Sequence, residues 1–213
     1  RVVGQDIRTF MKEQLQEPLG MKYFNYGVPD SEYHNIARNY LTGYPLVFPV
    51  KQVLMRVMGT SLEKAIDLVN DPRFYHEAIP SANMTCTAEE CSRFFQMLLD
   101  GGKYEGKRLF EAATVERAAR ADQTGFDRGL LMPMRYSVGG MMLGNNRVSL
   151  YGRDTALAYG HLGFTNNFAW ADPERQISVT LLTSGNPVYG IYVVRLIRLL
   201  NRISSSCSKV SGE

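Results

Sequence analysis

A chain of 213 residues, 45% of them hydrophobic, is long enough to bury a sizeable core as one large domain or as a domain with a subdomain. Its net charge of +3 comes from scattered basic residues, which excludes the concentrated positive surface expected of a nucleic-acid-binding protein. No apolar run approaches the roughly 20 residues of a membrane-spanning helix, so no transmembrane segment is expected, and we find no signal-peptide pattern.

The first half of the chain is predicted to be helical and rich in loops. Apolar residues at helical spacing predict a helix over residues 4–17, which Pro18 ends. Residues 22–80 are interpreted as a loop-rich helical insertion that lines a site, with helices at about 50–58 and 61–69.

A clearer helix follows the loop-rich region. Thr87 is a suitable N-cap, Glu90 three residues later completes a capping box, and several large apolar residues supply one face. A more polar helix is predicted near residues 112–121. Two short strands are then predicted at 136–143 and 147–151, on either side of a turn-rich junction.

The most informative stretch runs from Tyr159 to Thr183 and predicts a β-hairpin with its turn at Asp172-Pro173-Glu174-Arg175. Glycines 160 and 163 bracket His161 where the first strand begins. Glycine allows another group to approach the backbone closely, and histidine can donate a hydrogen bond or a proton. A strand bend with a surface histidine is the alternative interpretation.

The last helix is predicted over residues 187–203, with arginines on one side and apolar residues over most of the remainder. Packing on the sheet is the favoured interpretation, and binding to a membrane surface is the alternative. Residues 135–203 would then hold the sheet strands and the terminal helix. The tail after Ser204 is expected to be disordered.

Cysteine and histidine spacing indicates neither a metal site nor a cofactor. Cys86, Cys91 and Cys207 cannot all pair within the molecule, and no metal-binding motif joins them to a histidine. Small buried thiols are the favoured interpretation for Cys86 and Cys91. Localisation is left open, with a slight preference for the reducing cytoplasm.

Two short patterns match serine-hydrolase motifs. Ser61-Leu62-Glu63-Lys64 is an S-x-x-K pattern, which can place a lysine amine one helical turn from a nucleophilic serine. It is also ordinary composition for the start of a helix. The Y-x-N patterns at Tyr23 and Tyr33 are expected by chance in a stretch rich in tyrosine and asparagine.

An ordered set of segments resembles the serine β-lactamase-like superfamily, and within it the class C β-lactamases, DD-peptidases and esterases. The resemblance implies an α+β fold, with an antiparallel sheet flanked by helices, a helical and loop-rich subdomain, and the active site between them. It covers most of residues 1–213, as the carboxy-terminal part of one such domain. The segments that carry it are the first helix, Pro18-Leu19-Gly20-Met21, the Ser81-Ala82-Asn83 entry to the Thr87 helix, Gly160-His161-Leu162-Gly163 and Asp172-Pro173-Glu174.

The resemblance also implies roles for single residues. His161-Leu162-Gly163 is similar to the H-x-G triplet of the esterase-like members, where the histidine could hydrogen-bond a tyrosine or the substrate. The backbone N–H of Phe164 would be the second oxyanion donor, and Gly163 would leave room for the acyl group. Further substrate contacts are expected at Leu162, Thr165, Ser81 and Asn83.

The chain departs from the family pattern because the S-x-x-K and Y-x-N motifs of the family precede the Pro-Leu-Gly-Met turn. We therefore expect an upstream portion of the same protein as a partner, and this chain alone to be inactive. An inactive remnant, or a chain that has recruited Ser61, are the alternatives.

The predicted function is hydrolysis of a small-molecule ester or amide through an acyl-enzyme. An esterase is favoured because His161 replaces the carboxylate-binding lysine of lactamases and peptidases. A β-lactamase or DD-peptidase, and a non-catalytic binding or scaffold protein, are the rivals.

Overall fold

The computed structural model describes residues 4–128, 130, 132–146, 149–163, 166–188 and 190–210. Within these ranges the helices are α1 (Ile7–Met11), α2 (Val50–Met58), α3 (Leu62–Val69), α4 (Ala88–Leu99), α5 (Ala112–Ala119) and α6 (Ile191–Ser206). The strands are β1 (Asn25–Tyr26), β2 (Tyr40–Thr42), β3 (Met84–Thr85), β4 (Lys103–Tyr104), β5 (Lys107–Arg108), β6 (Ala121–Asp127), β7 (Met132–Ser137), β8 (Met142–Leu143), β9 (Tyr159–Leu162), β10 (Phe168–Asp172), β11 (Ile177–Leu181) and β12 (Gly185–Pro187).

The main sheet is antiparallel throughout and has the strand order β11-β10-β9-β8-β7-β6. Strands that follow each other in the chain are therefore neighbours in space. β9, which carries His161, lies inside the sheet between β8 and β10. Three two-stranded pairs complete the topology: β1 with β3, β4 with β5, and β12 with β2.

Alternate residues of β10 point to opposite faces of the sheet and contribute to two separate cores. Ala171 belongs to the first core, where α4 packs against the sheet through Phe95. Trp170 belongs to the second core with Leu200 of α6 and with Tyr151, whose ring stacks on the indole at 5.5 Å between centroids. Helices therefore cover both faces of an antiparallel sheet.

The predicted capping box at the start of α4 is confirmed. The Glu90 N–H donates to the Thr87 hydroxyl at 3.1 Å, and the Thr87 N–H donates to the Glu90 carboxylate at 2.9 Å. Glu90 is buried and also accepts from the backbone N–H groups of Lys22 and Tyr23, at 2.5 and 2.9 Å. One carboxylate therefore fixes both the helix start and the loop after Pro18-Leu19-Gly20-Met21.

Helices α2 and α3 confirm the helices predicted at about 50–58 and 61–69. The first helix is shorter than predicted, because the Asp6 carboxylate caps it and α1 begins at Ile7. Residues 12–16 continue it as a π-helical turn. The helix predicted over 112–121 is confirmed as α5, but it ends at Ala119. Strand β6 begins two residues later, at Ala121.

The strand prediction between residues 136 and 151 is partly wrong. β7 and β8 are separate strands, joined by a turn in which the Gly140 N–H donates to the Ser137 carbonyl at 2.9 Å. Residues 150–151 form a turn and residue 149 is in no strand, while 147–148 lie outside the described residues. The apolar signal at Tyr151 comes from burial, since its hydroxyl donates to the Met142 carbonyl at 2.9 Å inside the core.

The chain after Ser204 has a defined conformation as far as residue 210, so the predicted disorder is wrong for this stretch. The Val210 N–H donates to the Glu174 carbonyl at 2.9 Å. The Lys209 ammonium lies 2.9 Å from the Asp154 carboxylate and 2.8 Å from the Glu174 carboxylate. The predicted packing of the last helix on the sheet is confirmed by Leu200. No helix within the described ranges is long and apolar enough to cross a bilayer.

Candidate functional site

His161 lies on β9, close to the point where this strand leaves the sheet. Its side chain is exposed, although Tyr159 and Gly160 before it are buried. The ring Nδ1 lies 2.7 Å from the carbonyl oxygen of Leu162. Because a carbonyl can only accept, Nδ1 is the donor in this arrangement, which leaves Nε2 as the ring nitrogen that can exchange a proton or a hydrogen bond with another group. His161 can therefore take part in proton transfer through Nε2.

Gly160 allows β9 to approach β10 very closely. A Cβ at this position would lie 2.1 Å from the carbonyl oxygen of Ala169 and 2.6 Å from the Cβ of Trp170. Glycine is required because any side chain would displace the neighbouring strand. The group that comes close to the backbone at residue 160 is therefore β10 itself, and this contact holds His161 in a fixed register.

The turn after β9 is closed by a hydrogen bond from the Gly163 N–H to the Asn167 carbonyl, at 2.6 Å. Phe164, the predicted oxyanion donor, and Thr165, a predicted substrate contact, lie outside the described residues. The Leu162 side chain packs against the second core, and its carbonyl oxygen accepts from His161. Its contact with a substrate stays a prediction.

Two asparagines attach this turn to the segment after β11. The Asn167 side-chain oxygen accepts from the Thr183 N–H at 2.8 Å, and the Asn166 amide donates to the Gly185 carbonyl at 3.1 Å. The Thr183 hydroxyl donates to the same carbonyl at 3.2 Å. The strand end that carries His161 is therefore held at its side by residues 183–185.

The same segment connects the sheet to the loop-rich region. β12 pairs in parallel with β2, and the Tyr40 N–H donates to the Ser184 carbonyl at 2.8 Å. The Asn186 side chain is fully buried, and its amide donates to the Tyr40 carbonyl at 3.3 Å. The Asn39 N–H donates to the Asn70 side-chain oxygen, and the Asn70 side-chain amide donates to the Asn39 carbonyl, both at 2.8 Å. These two bonds extend the network to the end of α3. This asparagine network escapes sequence reasoning because each partner is distant in the chain.

Ser81 and Asn83 lie on the loop before β3, which pairs with β1 outside the main sheet. Asn83 is buried, and its amide forms three hydrogen bonds with backbone groups of its own loop, at Phe74, Glu77 and Ile79. These bonds use both donors and one lone pair of the oxygen, so Asn83 stabilises the loop, and its contact with a substrate stays a prediction. Ser81 is exposed, and its contact with a substrate stays a prediction.

The two short motif matches have structural roles. The Ser61 hydroxyl accepts from the Lys64 N–H at 3.3 Å and is the N-cap of α3. The Tyr33 hydroxyl donates to the Asn70 carbonyl at 2.7 Å, and the Tyr23 hydroxyl to the Glu32 carboxylate at 3.2 Å. Each hydroxyl is therefore used in local structure, as the simpler interpretation of these motifs requires.

The cysteines are free, and Cys91 is buried on α4. A hydrogen bond with Cys91, together with burial, raises the pKa of the Cys86 thiol, which makes Cys86 a poor nucleophile. Within the described parts of the chain, no group of three or more His, Cys, Asp or Glu side chains is arranged to hold a metal ion.

Comparison with known families decides the kinship. The model of the family described as Beta-lactamase matches residues 1–202. The chain belongs to the β-lactamase family. This β-lactamase-family chain is 27% identical, over 199 residues, to the protein named Esterase/beta-lactamase LipL of Mycobacterium tuberculosis (strain ATCC 25618 / H37Rv), in a match that covers 85% of the chain and 43% of that relative.

Solved structures support the same kinship. A penicillin-binding protein homolog from Caulobacter crescentus is similar with a TM-score of 0.70 and 26% identity, covering 96% of this chain and 54% of that one. A family VIII carboxylesterase shares the fold, with a TM-score of 0.74 and 20% identity, covering 94% of this chain and 53% of that one. The predicted α+β fold and the predicted superfamily are both confirmed. This chain spans about half the length of the relatives it matches.

Proposed function

We propose that this chain forms one wall of the active site of a serine hydrolase that cleaves an ester or amide through an acyl-enzyme. The proposal is carried by one observation: His161 is exposed at the end of an interior strand, with its Nδ1 on the Leu162 carbonyl and Gly163 two residues later. Membership of the β-lactamase family and similarity to a protein named as an esterase support it.

In the proposed reaction, a serine hydroxyl attacks the substrate carbonyl and forms a tetrahedral oxyanion. Backbone N–H donors stabilise that charge, and we assign one of them to Phe164 because it follows the H-x-G triplet. Collapse of the intermediate breaks the bond to the alcohol or amine, leaves the acyl group on the serine, and is followed by hydrolysis. His161 would hydrogen-bond the proton-transfer group or the substrate through Nε2.

We further propose that the nucleophile and its base belong to an upstream portion of the same protein. Within this chain, Ser61 caps α3 and the Tyr23 and Tyr33 hydroxyls donate to structural acceptors. A preparation of residues 1–213 alone is therefore expected to hydrolyse neither esters nor β-lactams. Ester turnover by this chain that disappears in a Ser61→Ala variant would contradict this assignment and favour recruitment of Ser61.

An esterase is favoured over a β-lactamase or DD-peptidase because of the charge at the H-x-G position. A histidine at residue 161 does not supply the permanent positive charge that a lysine offers to a substrate carboxylate. Turnover of a p-nitrophenyl ester and of a chromogenic cephalosporin by the longest gene product should therefore be compared. We expect a higher kcat/KM for the ester, and faster cephalosporin turnover would reverse the preference.

A further inference from the structure

We propose that Cys86 and Cys91 form a reversible disulfide across the start of α4, which stabilises the folded chain under oxidising conditions. We call these two residues the thiol pair. Both thiols are free in the structure, which therefore describes the reduced form. The inference concerns a modification site and is independent of the proposed hydrolase activity.

The capping box at the start of α4 brings the thiol pair together. Thr87 is the N-cap and Glu90 is the third residue of the helix, with both reciprocal hydrogen bonds present. Cys86 is therefore the residue before the cap, and Cys91 is the fourth residue of the helix. In helices that begin with a capping box, the side chains at these two positions often pack against each other. Two thiols thus occupy positions that ordinarily hold a pair of apolar side chains.

The two thiols meet at the first core. Cys91 is a buried member of this core, and the half-buried Cys86 packs against it. A hydrogen bond with Cys91, together with burial, raises the pKa of Cys86. The same hydrogen bond, assisted by one from Thr180, lowers the pKa of Cys91. Cys86 is therefore the donor and Cys91 the acceptor, and a thiolate that accepts from a second thiol is the starting arrangement for disulfide exchange.

The third cysteine lies elsewhere in the fold. Cys207 is the C-cap of α6, and its carbonyl accepts from the Arg175 guanidinium at 3.1 Å. Helix α6 packs on the second core and α4 on the first, which are on opposite faces of the main sheet. The sheet therefore separates Cys207 from the thiol pair, and the fold favours one pairing of the three cysteines.

The oxidation needs a co-reactant, which we take to be a small disulfide such as glutathione disulfide. One cysteine sulfur, as its thiolate, attacks a sulfur atom of that compound, breaks its S–S bond and releases one glutathione. The second cysteine sulfur then attacks the mixed disulfide and releases the other glutathione. Two protons and two electrons pass from the thiol pair to the two glutathione thiols. Because reduced glutathione reverses both steps, the state of the pair follows the glutathione composition.

The fold should favour the disulfide because it already holds the two thiols in contact. In the unfolded chain, the same cysteines are connected through residues 87–90 without a fixed conformation, and that freedom is lost when they pair. At a given glutathione composition, the ratio of disulfide to dithiol is therefore expected to be higher in the folded protein. By linkage, the oxidised chain is then more stable than the reduced chain by the same factor.

The test equilibrates the longest gene product with glutathione buffers, in the absence and presence of denaturing urea, and then blocks the remaining thiols by alkylation. Trypsin releases residues 74–93 as one peptide that contains both cysteines, and cleavage after Glu89 or Glu90 separates them. We expect a peptide that is lighter by two hydrogen atoms and stays linked after the second cleavage. The ratio of disulfide to dithiol should be at least about tenfold higher in the folded than in the urea-unfolded protein.

Matched variants assign the cross-link to the thiol pair. Cys86→Ser, at a half-buried position, should abolish it and leave Cys91 as a thiol or as a mixed disulfide with glutathione. Cys207→Ser should leave the ratio of disulfide to dithiol unchanged, and circular dichroism should show both variants folded. Three results would overturn the proposal: an equal or lower ratio in the folded protein, glutathione attached to the unchanged thiol pair without a cross-link, or a disulfide between either of its cysteines and Cys207.

Discussion

Gly160 and Trp170 face each other across β9 and β10 with no space for a side chain on the glycine. An added Cβ would lie 2.6 Å from the Trp170 Cβ and closer still to the neighbouring carbonyl. Because these neighbours are backbone atoms and a buried indole, the strand itself must shift to accept a methyl group.

Gly160→Ala is accordingly expected to reduce the free energy of unfolding by about 3 kcal/mol. The matched control is Gly125→Ala on the edge strand β6, where an added Cβ meets no atom within 4 Å. Urea denaturation of both variants provides the measurement. Similar decreases in the free energy of unfolding for the two variants would show that the close approach at Gly160 does not affect stability.

The side chain of Asn167 is expected to hold the turn after β9 in place. Asn167→Ala removes the acceptor of the Thr183 N–H and should lower the free energy of unfolding by about 1 kcal/mol. Hydrogen exchange at the Thr183 amide should become faster, while amides in α4 should be unaffected. Asn146→Ala, at an exposed position, is the control and should leave the Thr183 exchange rate unchanged.

Arg175 is expected to be the strongest single polar contribution to the stability of the sheet end. Its side chain is buried, donates to the Ser204 and Cys207 carbonyls, and pairs with the fully buried Asp172 carboxylate at 2.8 Å. Arg175→Met leaves that carboxylate without its charge partner and should cost about 3 to 5 kcal/mol of stability.

The variant Arg175→Met/Asp172→Asn should recover part of this loss, because it removes the uncompensated charge as well. Arg153→Met, at an exposed position, should stay within about 0.5 kcal/mol of the parent. If the double variant is as unstable as the single variant, the cost comes from lost hydrogen bonds and not from the buried charge.

Buried tyrosines predict a loss of stability at alkaline pH. Burial raises the pKa of Tyr159 to about 12, from an ordinary value near 10. Since the folded state holds the phenolic proton more tightly, its contribution to stability is fully present below pH 10 and is lost as the pH rises through 12.

Tyr159→Phe should therefore make the free energy of unfolding less dependent on pH between 9 and 12, by on the order of 2 kcal/mol. Tyr40→Phe, at a position that is 55% exposed, is the control and should leave the pH dependence unchanged. Equal pH profiles for Tyr159→Phe and the parent would show that Tyr159 does not titrate differently in the folded state.

Local signals in the sequence were sufficient for several elements of the fold. The capping box of Thr87 and Glu90 depends only on neighbours in the chain, so the start of α4 could be predicted to the residue. The turn at residues 172–175 is likewise a local pattern, and it joins β10 to β11 as predicted. By contrast, six of the seven β6 residues are exposed and have no alternating apolar pattern, so only the pairing with β7 makes them a strand.

The candidate site could be located from the sequence but not completed. The glycines beside His161 indicated that another group approaches the backbone closely. This is so at Gly160, where the group is the neighbouring strand β10. Asn83 lies in a segment that resembles the family, but the sequence did not indicate that its side chain is buried and donates to carbonyls of its own loop. Asn186 offered no signal, because its importance comes from a contact with Tyr40 far away in the sequence.

The most direct test of the central claim is covalent labelling of the longest gene product with a fluorophosphonate probe, followed by peptide mass spectrometry. We expect one labelled serine, in an S-x-x-K motif that precedes Pro18. His161→Ala should slow labelling by about 100-fold or more while the free energy of unfolding stays within about 0.5 kcal/mol, because this side chain is exposed. Absence of any labelled serine, a label on Ser61, or unchanged labelling in His161→Ala would contradict the account.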